Sequence, residues 1–178
     1  MTAIVDVDDV LLDWSHGFDQ WIREKYSYSE IHISQRKERL FDLFHSGIYD
    51  EFNDSEGFSS LNEIRDAKSG LETLSKNYQL KLVSSCGTDR VQSRKSNLNQ
   101  YFSGIDYELI LLSLHEPKFQ YIEKFKPQIF IDDNVLNSQY HSDLKCGETF
   151  LFHTEFNSKF DYKNIKRVKT WKEIIKNL

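Results

Sequence analysis

Four aspartates, Asp6, Asp8, Asp9 and Asp13, fall within eight positions of the stretch IVDVDDVLLDW, residues 4 to 14. Carboxylates this close repel one another, and each raises the pKa of its neighbours unless a cation compensates. Ser84 and Ser85 close a second apolar run, Asp132 and Asp133 close another, and Lys118 precedes that last run by about ten residues. An all-oxygen acidic cluster suits Mg²⁺, which keeps several waters and binds through a few carboxylates together with a phosphate. With that ion in place, one aspartate can stay ionised beside a phosphate dianion and attack its phosphorus. Phosphate-monoester hydrolysis is among the slowest uncatalysed reactions. A metal clamp plus a covalent aspartyl-phosphate step divides that barrier.

Groups this far apart in sequence meet only if a fold gathers them. Short apolar runs lie at TAIVDV (2–7), YQLKLVSS (78–85), YELILLS (107–113) and PQIFIDD (127–133), with a weaker one at ETFLFHT (148–154). Continuous rather than alternating runs suit strands covered on both faces of a parallel sheet. Helical spacing appears between them. Leu71 and Leu74 share a face in 66–78, and Val91, Leu98 and Phe102 point inward in 88–102, which Thr88 and Asp89 open. Phe119, Ile122 and Phe125 share a face in 117–125, with Pro117 in the first turn, and WKEIIKNL closes the chain as a short amphipathic helix. This alternation predicts an α/β fold: a three-layer sandwich around a central, mainly parallel, Rossmann-like sheet. Ligands of such sheets bind outside the carboxyl ends of the strands, which is where the polar residues fall. Residues 14–62 read as two or three amphipathic helices, longer than one crossover needs. They are expected to form a helical cap inserted after the first strand, leaving 1–13 and 63–178 as the core.

The 178 residues suit one domain with a modest insertion, and 39 % hydrophobic and 14 % aromatic content is ample for a packed core. Net charge is −5 and no long Lys/Arg block occurs, which argues against nonspecific binding to nucleic acid or a membrane surface. Cys86 and Cys146 make neither a disulfide framework nor a zinc site. No signal stretch or membrane-length apolar run is visible, so the expected location is the cytoplasm.

The motifs, in their order, resemble those of the haloacid dehalogenase (HAD) superfamily of phosphohydrolases. DVDDVLLD is similar to its first motif, LKLVSS to the second, PKF supplies the lysine of the third and IFIDDN resembles the acidic fourth. The resemblance runs from residue 2 to about 135. It implies Asp6 as nucleophile and metal ligand, and Asp8 as acid, then base, with its backbone carbonyl on the metal. It implies Ser84 and Lys118 as phosphoryl ligands, with Ser85 the alternative if the strand is one residue longer. Asp133 becomes the direct Mg²⁺ ligand and Asp132 its supporting neighbour, although the order of the two stays open. Asp9 stands where the family commonly has glycine, and aspartate tolerates the left-handed backbone that position requires. Within the superfamily the chain most resembles the 5′(3′)-deoxyribonucleotidases, through the small cap, the aromatic Trp14 after VLLD, the IDD motif and a C-terminal TW..I segment. That subfamily implies a nucleoside monophosphate with its base on Trp14, and Phe18 or Trp21 completing an aromatic wall.

Plainer roles compete for several of these residues. The spacings of Trp14, Phe18 and Trp21 also suit a cap helix packing on the core. Lys95 and Lys124 compete with Lys118 for the phosphate, Lys95 lying beside Arg94 on what reads as a solvated face. Asp13 reads as a helix cap, Cys86 as a small buried thiol, and the six histidines lie singly without metal-ligand spacing. A phospho-acceptor receiver also uses clustered aspartates, but places its acidic pair first and has no helical insertion. A catalytically idle binding module fits poorly with a full set of motif residues. Sugar phosphates and 3′-phosphorylated polynucleotides remain alternative substrates. A polynucleotide needs a basic track that an acidic chain does not suggest, and no stable nucleic-acid or membrane partner is expected.

Overall fold

Each apolar run becomes a strand because its residues can be buried on both sides at once. The computed structural model describes residues 1–26, 47–114 and 116–178. Among them, β1 (Thr2–Asp6), β2 (Gln79–Ser84), β3 (Tyr107–Leu111), β4 (Ile129–Asp132), β5 (Glu148–Phe152) and β6 (Lys166–Val168) form one parallel sheet in the order β3-β2-β1-β4-β5-β6. Helices flank it: α1 (Trp14–Tyr26), α2 (Ile48–Asn53), α3 (Glu56–Ser59), α4 (Ala67–Ser75), α5 (Val91–Phe102), α6 (Phe119–Phe125), α7 (Val135–Leu144) and α8 (Trp171–Lys176).

Successive strand residues point to opposite faces, and two separate cores record this. Ala3, Val5, Leu82 and Ile131 pack with Leu71, Leu98 and Trp171 from α4, α5 and α8. Ile4, Val83 and Phe130 pack with Ile122 of α6 and Tyr140 of α7 on the other side. The result is the expected three-layer α/β sandwich. From β1 the chain builds outward through β2 and β3, then returns to build the other wing from β4. The crevice between β1 and β4 is therefore a topological switch point, the place where such sheets bind ligands. Val5 pairs with Ile131 and Asp6 with Val83, so Asp6, Ser84 and Asp132 end their strands along one edge.

Some local readings need correction. Helix α5 begins at Val91, and Thr88 and Asp89 lie in the turn before it. Lys118, not Pro117, stands at the N-terminal boundary of α6. Strand β3 is an edge strand and only half-buried, so its apolar run is not covered on both faces. Helix α7 and strand β6 have no counterpart in the hydrophobic pattern. The inward face of α7 is polar, formed by Asn137, Ser138 and His141, and β6 is three residues of mostly charged sequence. His141 Nδ1 and Nε2 lie 2.7 Å from Thr149 Oγ1 and 2.9 Å from the Pro127 carbonyl, and burial lowers the pKa of its imidazole.

The C-terminal helix braces the acidic loop. Trp171 Nε1 donates to the Val10 carbonyl at 2.8 Å. Gly70 makes room for that indole, since a Cβ there would sit 2.0 Å from its ring. Part of the expected cap, residues 27–46, lies outside the described residues, as do His32, His45 and His115. No helix among the described residues is long and apolar enough to cross a membrane.

Candidate active site

The loop after β1 is fixed by its own backbone. The Val7 carbonyl accepts from the Leu11 and Leu12 amides at 2.9 Å each, and the Asp9 amide donates to the Leu12 carbonyl at 2.8 Å. Asp9 takes a left-handed conformation, φ 59°, as expected for a residue standing in for glycine. Its carboxylate accepts from the Ser15 amide at 2.7 Å and from the Ser15 hydroxyl, tying the loop to the start of α1. Burial pushes the Asp9 carboxyl up to about 6, against the hydrogen bonds from Ser15. Asp13 caps α1, accepting from the His16 amide at 3.1 Å.

Four chain segments converge on the β1/β4 crevice. Asp6 Oδ1 accepts from the Val7 amide at 2.7 Å, and Oδ2 lies 2.7 Å from Lys118 Nζ. The same ammonium donates to Asp132 Oδ2 at 2.8 Å. Asp132 is fully engaged: Oδ1 accepts from the Asn134 amide at 2.7 Å, and Oδ2 also accepts from Asn137 Nδ2 at 3.3 Å. Asp6, Asp132 and Asp133 each bring a carboxylate oxygen within 4.8 Å of the others. Asp133 lines the cavity above them, whereas Asp132 is buried behind it. The Asp133 carbonyl is held by Asn157 Nδ2 at 2.8 Å, and Asn157 Oδ1 in turn accepts from Arg167 Nη1 at 2.7 Å.

The electrostatics of this cluster are unbalanced. Five carboxylates, Asp6, Asp8, Asp9, Asp132 and Asp133, face two buried cations, Lys118 and Arg94. Burial first, and neighbouring aspartates second, hold the Asp6 and Asp133 carboxyls well above the usual range, with Lys118 opposing. Burial also works against the Lys118 charge, but Asp132 and Asp6 outweigh it and raise its pKa. A hard divalent cation matches both the all-oxygen donor set and the missing positive charge.

A cavity of about 590 Å³ opens over these groups, within the usual range for small-molecule sites. Asp6, Asp8, Lys118 and Asp133 form its floor, and Lys95 and Lys124 point to solvent elsewhere. Ser85 also lines it, its hydroxyl donating to the Glu116 carbonyl at 2.9 Å. Ser84 does not; it is buried and donates to Asp8 Oδ2 at 3.1 Å. Trp14 and Tyr49 form part of the wall from the helical side. Trp14 Nε1 donates to Asn53 Oδ1 at 3.0 Å, and its ring stacks on Phe18 at 5.0 Å and 6°. Phe18 borders the cavity as well, although it is 0 % exposed with its ring stacked on Trp14.

Two contributions escaped sequence reading. The opposite wall comes from Leu114, Leu136, Phe156 and Phe160, with Leu136 67 % and Phe160 45 % exposed. Large apolar residues in otherwise polar stretches, Leu136 in the first turn of α7 and Phe160 in the loop before β6, were the available signal. The second is Arg94, expected on a solvated face and found 0 % exposed, with Nη2 at 2.7 and 2.8 Å from the two Asp8 oxygens. Its position was implicit in the helix period. Arg94 follows Val91 by three residues and precedes Leu98 by four, so it shares their inward face.

No protein-family model matches the chain. A protein of Enterobacteria phage T4, described as an uncharacterized 32.4 kDa protein in the Gp30-rIII intergenic region, is 23% identical over 190 residues, covering 97% of this chain and 68% of that protein. Among solved structures, SP0104 of Streptococcus pneumoniae, a haloacid dehalogenase-like family hydrolase, superposes with a TM-score of 0.68 at 14% identity, over 99% of this chain and 98% of that one. YfnB of Bacillus subtilis, assigned as a HAD hydrolase and solved bound to magnesium, gives 0.67 at 12%, over 99% and 97%. A protein of Lactobacillus plantarum assigned as a phosphoglycolate phosphatase gives 0.67 at 16%, over 99% and 98%. The chain therefore has the fold shared by these HAD-superfamily structures.

Proposed function

We propose that this protein is a Mg²⁺-dependent phosphomonoesterase working through an aspartyl-phosphate on Asp6, on a small substrate such as a nucleoside monophosphate. The observation that carries this reading is the meeting of Asp6, Asp132 and Asp133 within 4.8 Å, with Lys118 between Asp6 and Asp132, beneath an open cavity. A fold alone does not choose a reaction; the disposition of these groups is what supports this one.

Asp6, Asp133 and the Asp8 carbonyl would hold the ion, and Asp132 supports them through Lys118 and the loop amides. Bound there, Mg²⁺ supplies Lewis-acid neutralisation of phosphoryl charge. The chain's own residues account for the rest. Asp6 forms a bond to phosphorus as the ester P–O bond breaks, and Asp8 gives its proton to the departing oxygen. Water then attacks the phosphoaspartate, Asp8 takes the proton, and inorganic phosphate leaves with Asp6 regenerated. Lys118 lowers the cost of negative charge on Asp6 and can reach a phosphoryl oxygen. Ser85, facing the cavity, takes the phosphoryl role in preference to Ser84, whose hydroxyl is turned to Asp8.

The described helices α1, α2 and α3 act as part of the cap, and the apolar lining that Trp14, Tyr49, Leu136 and Phe160 give the cavity suits a flat, partly apolar leaving group. That favours a nucleoside over a sugar and supports the likeness to deoxyribonucleotidases. Five carboxylates around the cavity disfavour a polynucleotide, whose affinity comes largely from backbone phosphates. The test is phosphate release from deoxy- and ribonucleoside monophosphates, sugar phosphates and 3′-phosphorylated oligonucleotides. Nucleotides should be the best substrates, and chelation should silence the enzyme until Mg²⁺ is returned. Equal or better rates on sugar phosphates would remove the nucleotidase assignment. Turnover indifferent to chelation would remove the metal.

A further inference from the structure

The geometry points to Arg94 as a positioning residue that holds Asp8 for proton transfer and couples it to the helical cap. This rests on the phosphatase reading above, in which Asp8 serves the leaving oxygen. Arg94 Nη2 contacts both Asp8 oxygens at 2.7 and 2.8 Å, while the Asp8 side chain stays 25 % exposed and reaches the cavity. The carboxylate is thus gripped from behind, and the Ser84 hydroxyl at 3.1 Å completes the grip.

The other side of the guanidinium belongs to the cap. Its carbon lies 4.4 Å from the centre of the Phe58 ring in α3, and Asn97, one turn further along α5, donates to the Phe58 carbonyl at 2.7 Å. Arg90, one turn earlier, reaches Asp54 at 2.7 Å and Asp50 at 3.1 Å. One face of α5 therefore carries three successive clamps on the segment 50–58, and only the middle one also touches the floor of the cavity. As a filler of space Arg94 is a poor choice. Its Nε and Nη1 are buried without a hydrogen-bond partner among the described residues, a cost that an apolar side chain of similar length avoids. What the apolar side chain cannot do is orient Asp8.

Arg94→Met and Arg94→Lys, compared with wild type on an alkyl phosphate and on 4-nitrophenyl phosphate, test this. A good leaving group departs without a proton, so loss of an oriented acid falls mainly on the alkyl ester. Arg94→Met leaves Asp8 without its cation and should lower the thermal midpoint while keeping the circular-dichroism spectrum. In kcat/KM, which reports formation of the phosphoaspartate and not its hydrolysis, it should lose about 10²-fold on the alkyl ester and far less on the nitrophenyl ester. Arg94→Lys, which keeps the charge but loses the planar guanidinium that packs on Phe58 and fixes the direction of Nη2, should fall between. Equal losses of kcat/KM on both esters in both variants, or no loss in either, would overturn the positioning role while leaving the phosphatase reading intact. If Arg94→Met fails to fold, the lysine variant carries the same comparison. A wild-type enzyme inert toward both esters would instead remove the phosphatase reading, and this inference with it.

Discussion

The two walls of the cavity are built on different principles. The charged floor sits on strand ends and their first following residues, where β1 and β4 part. Its positions follow from backbone register, because Val5 pairs with Ile131 and the next residues are Asp6 and Asp132. The aromatic wall on the helical side is built from side chains leaning on one another. Trp14, Phe18, Tyr49 and Phe52 lie with ring centroids between 5.0 and 5.7 Å apart. The floor spends stability to hold like charges together, whereas the wall gains stability by the same contacts that shape it. Substitutions should therefore separate cleanly: chemistry lost from the floor with the fold intact, stability lost from the wall.

The largest effect is expected at Asp6. Asp6→Asn should cut phosphate release by about 10⁴-fold or more and abolish acid-quenched labelling of the protein by phosphorylated substrate, with an unchanged thermal midpoint. Wild-type turnover in this variant would break the comparison outright. Next come two neighbours in the wall. Phe18→Ala should cost about 3–5 kcal/mol of unfolding free energy, as for other buried phenylalanines, read by urea denaturation. Trp14→Leu should be much milder for stability but raise KM for a nucleotide about tenfold, in keeping with ~1–3 kcal/mol for a base stacked on an aromatic ring. If the two variants behaved alike, the distinction between a supporting and a contacting ring would be lost.

The smallest effect is a pH dependence of the floor. Burial raises the Asp6 and Asp133 carboxyls well above the ordinary aspartate value, and Asp9 to about 6. Between about pH 4, where aspartates of the unfolded chain titrate, and these raised values, the folded state binds more protons than the unfolded one. Stability then falls as pH rises through that window. A divalent cation competes with those protons, so the rise in melting temperature on adding Mg²⁺ should amount to a few degrees and be larger at pH 8 than at pH 5. A Mg²⁺ effect that shrank with rising pH would contradict the cluster as a cation site.

The same contrast governs what could be read from sequence. Strands β1, β2 and β4 announced themselves by continuous apolar runs, and the residues ending them fell where the sheet required, so that Asp6, Asp8, Lys118 and Asp133, named from order and type, meet at one cavity. The lysine was separable from Lys95 and Lys124 only in space. Helix α7 was invisible because its buried face is Asn137, Ser138 and His141, leaving no apolar period to detect. Arg94 was misplaced for a related reason: a charged residue on a helix suggests water, and the opposing Asp8 lies 86 residues away. Ser84 was preferred to Ser85 on the strand length, and β2 does end at Ser84, yet its hydroxyl turns to Asp8 and Ser85 lines the cavity, an orientation that strand length does not fix. The far wall, Leu136 and Phe160, belongs to segments whose packing depends on Asn157 and Arg167, contacts that no local pattern encodes.

The central place of β1 also has a temporal consequence. Its two hydrogen-bonding neighbours are residues 79–84 and 129–132, so during synthesis on the ribosome the strand bearing Asp6 waits until residue 132 has emerged before both its edges are covered. Contacts of such long sequence separation are slow to form. Until Ile129 to Asp132 arrive, a nascent chain carries an uncovered apolar strand and an incomplete cation site. The folded sheet should thus be acquired late and all at once, and premature termination before β4 should yield chains that aggregate rather than partly folded proteins.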